Sequence, residues 1–366
     1  MRTSHPFSAV VILLLGCAPQ AMAHHSAAPH FDLEKTIELH GAVTKFEFVN
    51  PHGYVYFTVA EADGRKTPWR CELAGRLALT RLGWTRDTFH PGQQVTIKGA
   101  PARREANDCY LTSFILEDGR EIGRDQPVSA KATAAGRPAI FGQDAAVRPA
   151  RLPNGRPNLL GLWVAAFGPG GGRGRGPGRP GGRGRGGPPG APELTADGIA
   201  AGKTYDQRFD DPAIKCSPAN ILFGWTHDQH VNEITQNNDD IIVKYGYMDL
   251  VRTIHLNGQH PKNIMPSLEG HSIGRWEGDV LVVDTIGFKS GVLLPMEGTM
   301  HSGQLHVEER FTLDPAGNKL TRGFKAEDPA YWKTSYTGSD VMLLSKEPWV
   351  SYECKELSGK NNQRPQ

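Results

Sequence analysis

Residues 269–288, reading EGHSIGRWEGDVLVVDTIGF, restrict the fold of this chain more than any other stretch. Val280, Leu281, Val282 and Val283 form an apolar, β-branched run too short for a helix. Four apolar residues in a row imply a strand covered on both faces, as in a sandwich core or a barrel wall. Gly278-Asp279 ahead of it is a two-residue hairpin signal of the type II′ kind. That turn sets Glu277 opposite Val280, Arg275 opposite Val282 and Ile273 opposite Asp284. His271, Arg275 and Asp284 then share one face, with His271 and Arg275 diagonal to the carboxylate. A slip of one residue would separate them. The trio reads either as ion pairing that closes a barrel end or as an acid–base set.

Around this hairpin the C-terminal half repeats turn signals at short intervals: Asn237 to Asp240, Asn257-Gly258, Gly278-Asp279 and Pro315 to Asn318. Strands between them, with little helix, predict an antiparallel β-barrel of lipocalin-like kind or a sandwich over residues 151–358. Gly161-Leu162-Trp163 resembles the first-strand G-x-W of lipocalin-like barrels. One strand breaks its own alternation: Leu305, Val307, Phe311 and Leu313 line an apolar face with Glu309 in its middle. A carboxylate there needs a partner, and Arg322 lies diagonal to it if Leu313 pairs with Leu320. A satisfied wall pair and a catalytic acid are the two readings of Glu309 and Arg322. Histidines are dense in this half: His227, His230, His255, His260, His271, His301 and His306. His227 and His230 have i,i+3 spacing without an evident helix, so the spacing alone makes no metal site. No G-x-S-x-G, H-E-x-x-H, P-loop or dinucleotide fingerprint occurs, which argues against the common hydrolase, metalloprotease and nucleotide-binding classes.

The N-terminal half predicts a second, smaller β unit over residues 24–123. Its order is three strands, a short helix ended by Gly83 and two more strands, the order of an OB-like barrel. Tyr54, Tyr56, Phe57 and Trp69 either form a stacking platform or fill the barrel. A His24-His25-Ser26 start, the Asn50-Pro51-His52 turn, Trp69 and Leu82-Gly83-Trp84 together resemble a family of exported bacterial domains of uncharacterised function. Residues 270–279 (GHSIGRWEGD), Leu281 to Thr285, Glu309-Arg310-Phe311, Asp328-Pro329 and Cys354 resemble a second family of exported bacterial proteins, over most of residues 205–356. Neither resemblance implies a reaction. Residues 124–150 read as a linker, residues 168–192 as a disordered Gly/Arg/Pro-rich insert in the second unit, and residues 359–366 as a disordered tail.

Residues 1–23 read as a secretory signal: Arg2, an apolar core from Phe7 to Gly16, and an Ala21-Met22-Ala23 cleavage site. Leu14-Leu15-Gly16-Cys17 offers the competing lipobox reading, with Cys17 as a lipidated start. Either places the protein in the periplasm or outside the cell, where cysteines oxidise. Of five cysteines, Cys17 lies in the leader, and the economical pairing of the rest is Cys71–Cys109 and Cys216–Cys354. The net charge of +2 supplies no basic field for nucleic acid, and no segment is long enough to be a transmembrane helix. The Arg-Gly tract, a spacer by composition, can also make a weak contact with an anionic membrane surface.

Three functions follow as expectations. The first is a barrel that binds a small apolar or aromatic molecule and works on it by metal-free acid–base chemistry. His271 would be the general base or acid, Asp284 its orienter, and Arg275 or Arg322 an oxyanion stabiliser. The second is a copper site, copper being the one cofactor the sequence suggests: cleavage after Ala23 would free the α-amine of His24 beside its imidazole. His52, His25 and less favourably His30 are candidates for the next ligand. The third is a non-catalytic envelope binding or scaffold module.

Overall fold

A computed structural model of the protein describes residues 27–116, 118–128, 148–166, 191–227, 230–237, 239–357 and 362–364. The signal and lipobox (residues 1–23), His24, His25, most of the linker and almost all of the Arg-Gly insert lie outside the described residues.

The first unit holds strands β1 (Ile37–Glu47), β2 (Tyr54–Ala60), β3 (Lys66–Glu72), β4 (Gln94–Pro101), β5 (Asp108–Ile115) and β6 (Glu121–Gly123), with a helix at Arg76–Arg81. The sheet order is β3-β2-β1-β4-β5-β6, and a parallel pairing of β3 with β5 closes five strands into a barrel. That is the OB-like topology expected. β1 is long enough to pair with β4 over Ile37–Ala42 and with β2 over Gly41–Glu47, and Gly41 lies where the two pairings overlap. A Cβ there would lie 2.5 Å from the Thr58 carbonyl oxygen. Cys71 and Cys109 face each other across the closing pair and are joined. Phe57, Trp84, Phe89 and Phe114 fill the core, so Phe57 belongs to the filling and Tyr54 is buried too.

The second unit holds β7 (Gly161–Ala165), β8 (Asn232–Gln236), β9 (Asp240–Lys244), β10 (Val251–Leu256), β11 (His271–Glu277), β12 (Val280–Ile286), β13 (Gly291–Leu294), β14 (Thr299–His301), β15 (His306–Leu313), β16 (Lys319–Glu327) and β17 (Tyr336–Leu344). Nine of these close a barrel in the order β10-β11-β12-β15-β16-β17-β7-β8-β9, while β13 and β14 form a separate ribbon. The β11–β12 hairpin has the expected register, Glu277 on Val280, Arg275 on Val282 and Ile273 on Asp284, with Gly278 at φ +60° in the turn. Leu313 does pair with Leu320. One join departs from the antiparallel expectation: β10 and β11 run parallel, Ile254 against Ser272 and His255 against Ile273. Residues 257–270 give the crossover length that a parallel pair requires.

This barrel also departs from a lipocalin-like container. A short helix, Ile221–Thr226, started by the Asn220 side chain accepting from the Leu222 and Phe223 amides, seats Trp225 against Tyr245 and Phe311. Trp163, Leu281, Val283, Leu320 and Met342 complete a closed interior. Cys216 and Cys354 are joined, tying the segment ahead of β8 to the end of the unit. The two units meet where the segment around Cys354 lies along Asn50: the Lys355 amide donates to the Asn50 carbonyl at 2.8 Å, and Lys355 pairs with Glu47 at 2.6 Å. Among the described residues no helix is long and apolar enough to cross a membrane.

Candidate functional site

Three groups of polar side chains stand out, and the strands explain each. The first lies inside the larger barrel, where alternation turns Arg252, Ser272, Thr285, Glu309 and Arg322 inward. Glu309, fully buried, takes Arg252 at 2.6 Å and Arg322 at 3.2 Å; Arg322 also binds Asp340 at 2.5 Å. Arg252 further donates to Ser272 and Thr285, and Arg322 lies over the Trp225 ring. Burial pushes the Glu309 carboxyl up, and the two guanidinium groups outweigh it, leaving its pKa below the ordinary value. Two cations and two carboxylates balance, all buried but the partly exposed Asp340, which is the arrangement of a wall-fixing network.

The second group lies on the outside of the same strands. Asp284 accepts from His260 Nε2 at 2.8 Å and from His306 Nε2 at 2.6 Å, and His260 Nδ1 meets His271 Nδ1 at 2.8 Å. His255, on β10, hydrogen-bonds Asp240 at 2.7 Å, and its ring centroid is 5.1 Å from that of His271. A carboxylate only accepts, so His260 carries its proton on Nε2 and leaves Nδ1 to accept from His271. Partial burial, then His260 and His255, hold the His271 imidazole below its ordinary pKa. Burial pulls the Asp284 carboxyl upward, and hydrogen bonds from His306 and His260 more than reverse it.

Asp284 and His271 are thus brought together as the hairpin register implies, with His260 between them. Arg275 is not brought in. Although it is as near to Asp284 in register as His271, it points to solvent and pairs with Glu277 at 2.8 Å toward the hairpin turn. Arg322 is on the opposite face of the wall and cannot serve His271. His227 and His230 pack with Phe223, Tyr247 and Tyr352 in an aromatic cluster.

The third group is a cleft at the seam between the units. It is a small cavity of about 40 Å³, open on one side to solvent, and is lined by Ala27, His30, His52, Glu72, Asp211 and Leu357 among others. His52 Nδ1 stands 2.9 Å from Glu72, and Tyr54 donates to the same carboxylate at 3.3 Å. Burial raises the Glu72 carboxyl, but His52, Arg124 and His30 prevail and hold it at about 2. Burial holds His30 below its ordinary pKa against the pull of Glu72. His52 follows the cis Asn50-Pro51 bond and lines this seam, while the Asn50 side-chain amide donates to the Tyr352 carbonyl of the other unit.

Sequence reading missed Arg252, Asp340, His260 and His306 as partners. Arg252 breaks the apolar alternation of Leu250, Ile254 and Leu256 just as Glu309 breaks its own, so that signal was present. His260 and His306 gave no such sign, because their place depends on a crossover and on β15 joining β12 past an intervening ribbon.

Residues 12–109 match a family of unknown function, DUF6152. No curated protein matches the chain.

Proposed function

We propose that this is an exported copper-binding protein that holds Cu(II) at the seam cleft, using the α-amine and imidazole of His24 after cleavage behind Ala23, and His52 as the further ligand. The observation that carries the reading is the His52–Glu72 pair at the rim where the described chain begins. An ionised Glu72 accepts the Nδ1 proton of His52 and so fixes the tautomer in which Nε2 is the ligand atom, the usual second-sphere arrangement at metal-bound histidine. Ala27 lines the cleft, and three residues of extended chain reach about 10 Å, enough for His24 to arrive there. His30, in the same cleft, is the alternative imidazole. Amine and imidazole nitrogens suit Cu(II) above the other common divalent ions. The two disulfides and the export signal fit an oxidising compartment.

A ligand cavity within the larger barrel draws no support from an interior occupied by Trp163, Trp225, Tyr245, Phe311 and the Arg–Glu network. A purely structural or scaffolding module is the outcome if copper does not bind. The test is Cu(II) titration of the processed chain, with mass spectrometry of its N-terminus. The expected result is a chain beginning at His24 and a tight site. Glu72→Gln should weaken that site by about 10- to 100-fold. His52→Ala, or two residues placed ahead of His24, should abolish it. A chain that starts at Cys17, or affinity indifferent to both changes, overturns the proposal.

A further inference from the structure

From the outer wall of the larger barrel we infer that His255 and His271 form a second, independent site for a divalent transition-metal ion, with solvent completing the coordination sphere. Each ring has its Nδ1–H drawn back toward a carboxylate. His255 donates to Asp240 directly at 2.7 Å, and His271 donates through His260 to Asp284, each step 2.8 Å. Both rings therefore carry their lone pair on Nε2, and neither Nε2 accepts a hydrogen bond among the described residues. Backed imidazoles of this kind are the usual form of a metal ligand, the carboxylate fixing the tautomer and raising the basicity of the outer nitrogen.

The spacing fits as well. With a metal–nitrogen bond of about 2.0–2.1 Å, a ring centroid lies about 3.2 Å from the ion, so two rings at 90–109° have centroids about 4.5–5.2 Å apart. The His255 and His271 centroids are 5.1 Å apart. The fold maintains that distance. His255 pairs with Ile273 across the parallel β10–β11 join, and His271 is the preceding outward residue of β11. Asp284, His260 and His306 lie behind the pair as its support, and Asp240 flanks it, so the site has carboxylates nearby to offset a dication. Two imidazoles and water suit Cu(II) best among the divalent first-row ions.

The experiment is Cu(II) titration of the full chain, read by calorimetry for stoichiometry and by electron paramagnetic resonance for coordinated imidazoles. Bound copper should fall by one ion per chain in His255→Ala and in His271→Ala, whatever the state of the N-terminus. Asp240→Asn and Asp284→Asn should each weaken that ion by about 10- to 100-fold. The ion should persist when His52→Ala and an N-terminal extension remove the seam site, so the two proposals fail separately. His255→Gln and His271→Gln, with thermal melts to show a native fold, repeat the test should either alanine variant not fold. Unchanged stoichiometry in native-like His255 and His271 variants overturns the inference. So does a single copper that vanishes when the seam site is blocked, because all binding would then belong to the seam.

Discussion

Glu309 and Asp284 sit on adjoining strands of one wall, with Glu309 opposite Val283 and Asp284 opposite Glu308, yet they face opposite ways and meet opposite fates. Inside, Glu309 is wholly excluded from solvent and bound by two guanidinium groups that never lose their charge. Outside, Asp284 is about a quarter exposed and bound by the imidazoles of His260 and His306. The same functional group is a fixture on one face and the anchor of a partly solvated histidine cluster on the other. Burial and the choice of partner make the difference.

The largest expected effect tests the inner face. Glu309→Gln leaves buried Arg252 without its carboxylate and Arg322 with Asp340 alone, and loss of one partner from such a set costs about 3–5 kcal/mol. Urea unfolding should show that loss, and Arg252→Met and Arg322→Met should fall in the same range. Asp284→Asn keeps one carbonyl acceptor in a partly exposed setting and should cost about 1 kcal/mol or less. If the two carboxylate variants lose equal stability, the contrast between the faces fails.

A smaller effect separates the faces by pH. His271 has a folded pKa below its unfolded value, so the folded state takes up fewer protons, and stability is lost as pH falls through the ordinary histidine range near 6.5. Glu309 has a depressed folded pKa, so its contribution is present above about 4.5 and is lost only below that. Between pH 7.5 and 5.5 the wild type should therefore lose stability relative to His271→Gln, by well under about 1 kcal/mol because the ring is partly solvated. Comparison within that pair cancels groups that move the other way, such as Asp108, whose burial outweighs Arg70 and raises it to about 6. Parallel pH curves for wild type and variant would show that the wall does not titrate against folding.

The same contrast governs what the sequence disclosed. A charge on an apolar face is visible in one strand, since the period is local; Glu309 and Arg322 could be paired once Leu313 was set on Leu320. The hairpin register was equally local, fixed by Gly278. The outer cluster is non-local in three ways: His255 comes from a parallel neighbour, His260 from a crossover, and His306 from a strand that follows β12 in space but not in sequence. On a solvated face polar residues are the rule, so no break in pattern marks them. The seam was half legible: Asn50-Pro51-His52 read as a turn, whereas Glu72 and His30 join it only through closure of the small barrel.

The smallest expected effect concerns Arg275, which shares the outer face with His271 by alternation and so was grouped with it. In the fold its guanidinium binds Glu277 at 2.8 Å, and Arg310 binds the same carboxylate from β15 at 2.7 Å. Both pairs are exposed, and a solvated pair of this kind is worth about 0–1 kcal/mol. Removing Arg275 leaves Glu277 with Arg310, so even that small contribution is partly retained. Arg275→Ala should accordingly shift the unfolding midpoint within about 0.5 kcal/mol. It should leave copper stoichiometry and affinity at the wall unchanged, where Asp284→Asn reduces affinity. Calorimetry on the two variants side by side decides the matter. Copper affinity that falls in Arg275→Ala as far as in Asp284→Asn would mean that the hairpin end reaches the cluster, and that the boundary between supporting and idle residues on this wall has been drawn one row too short.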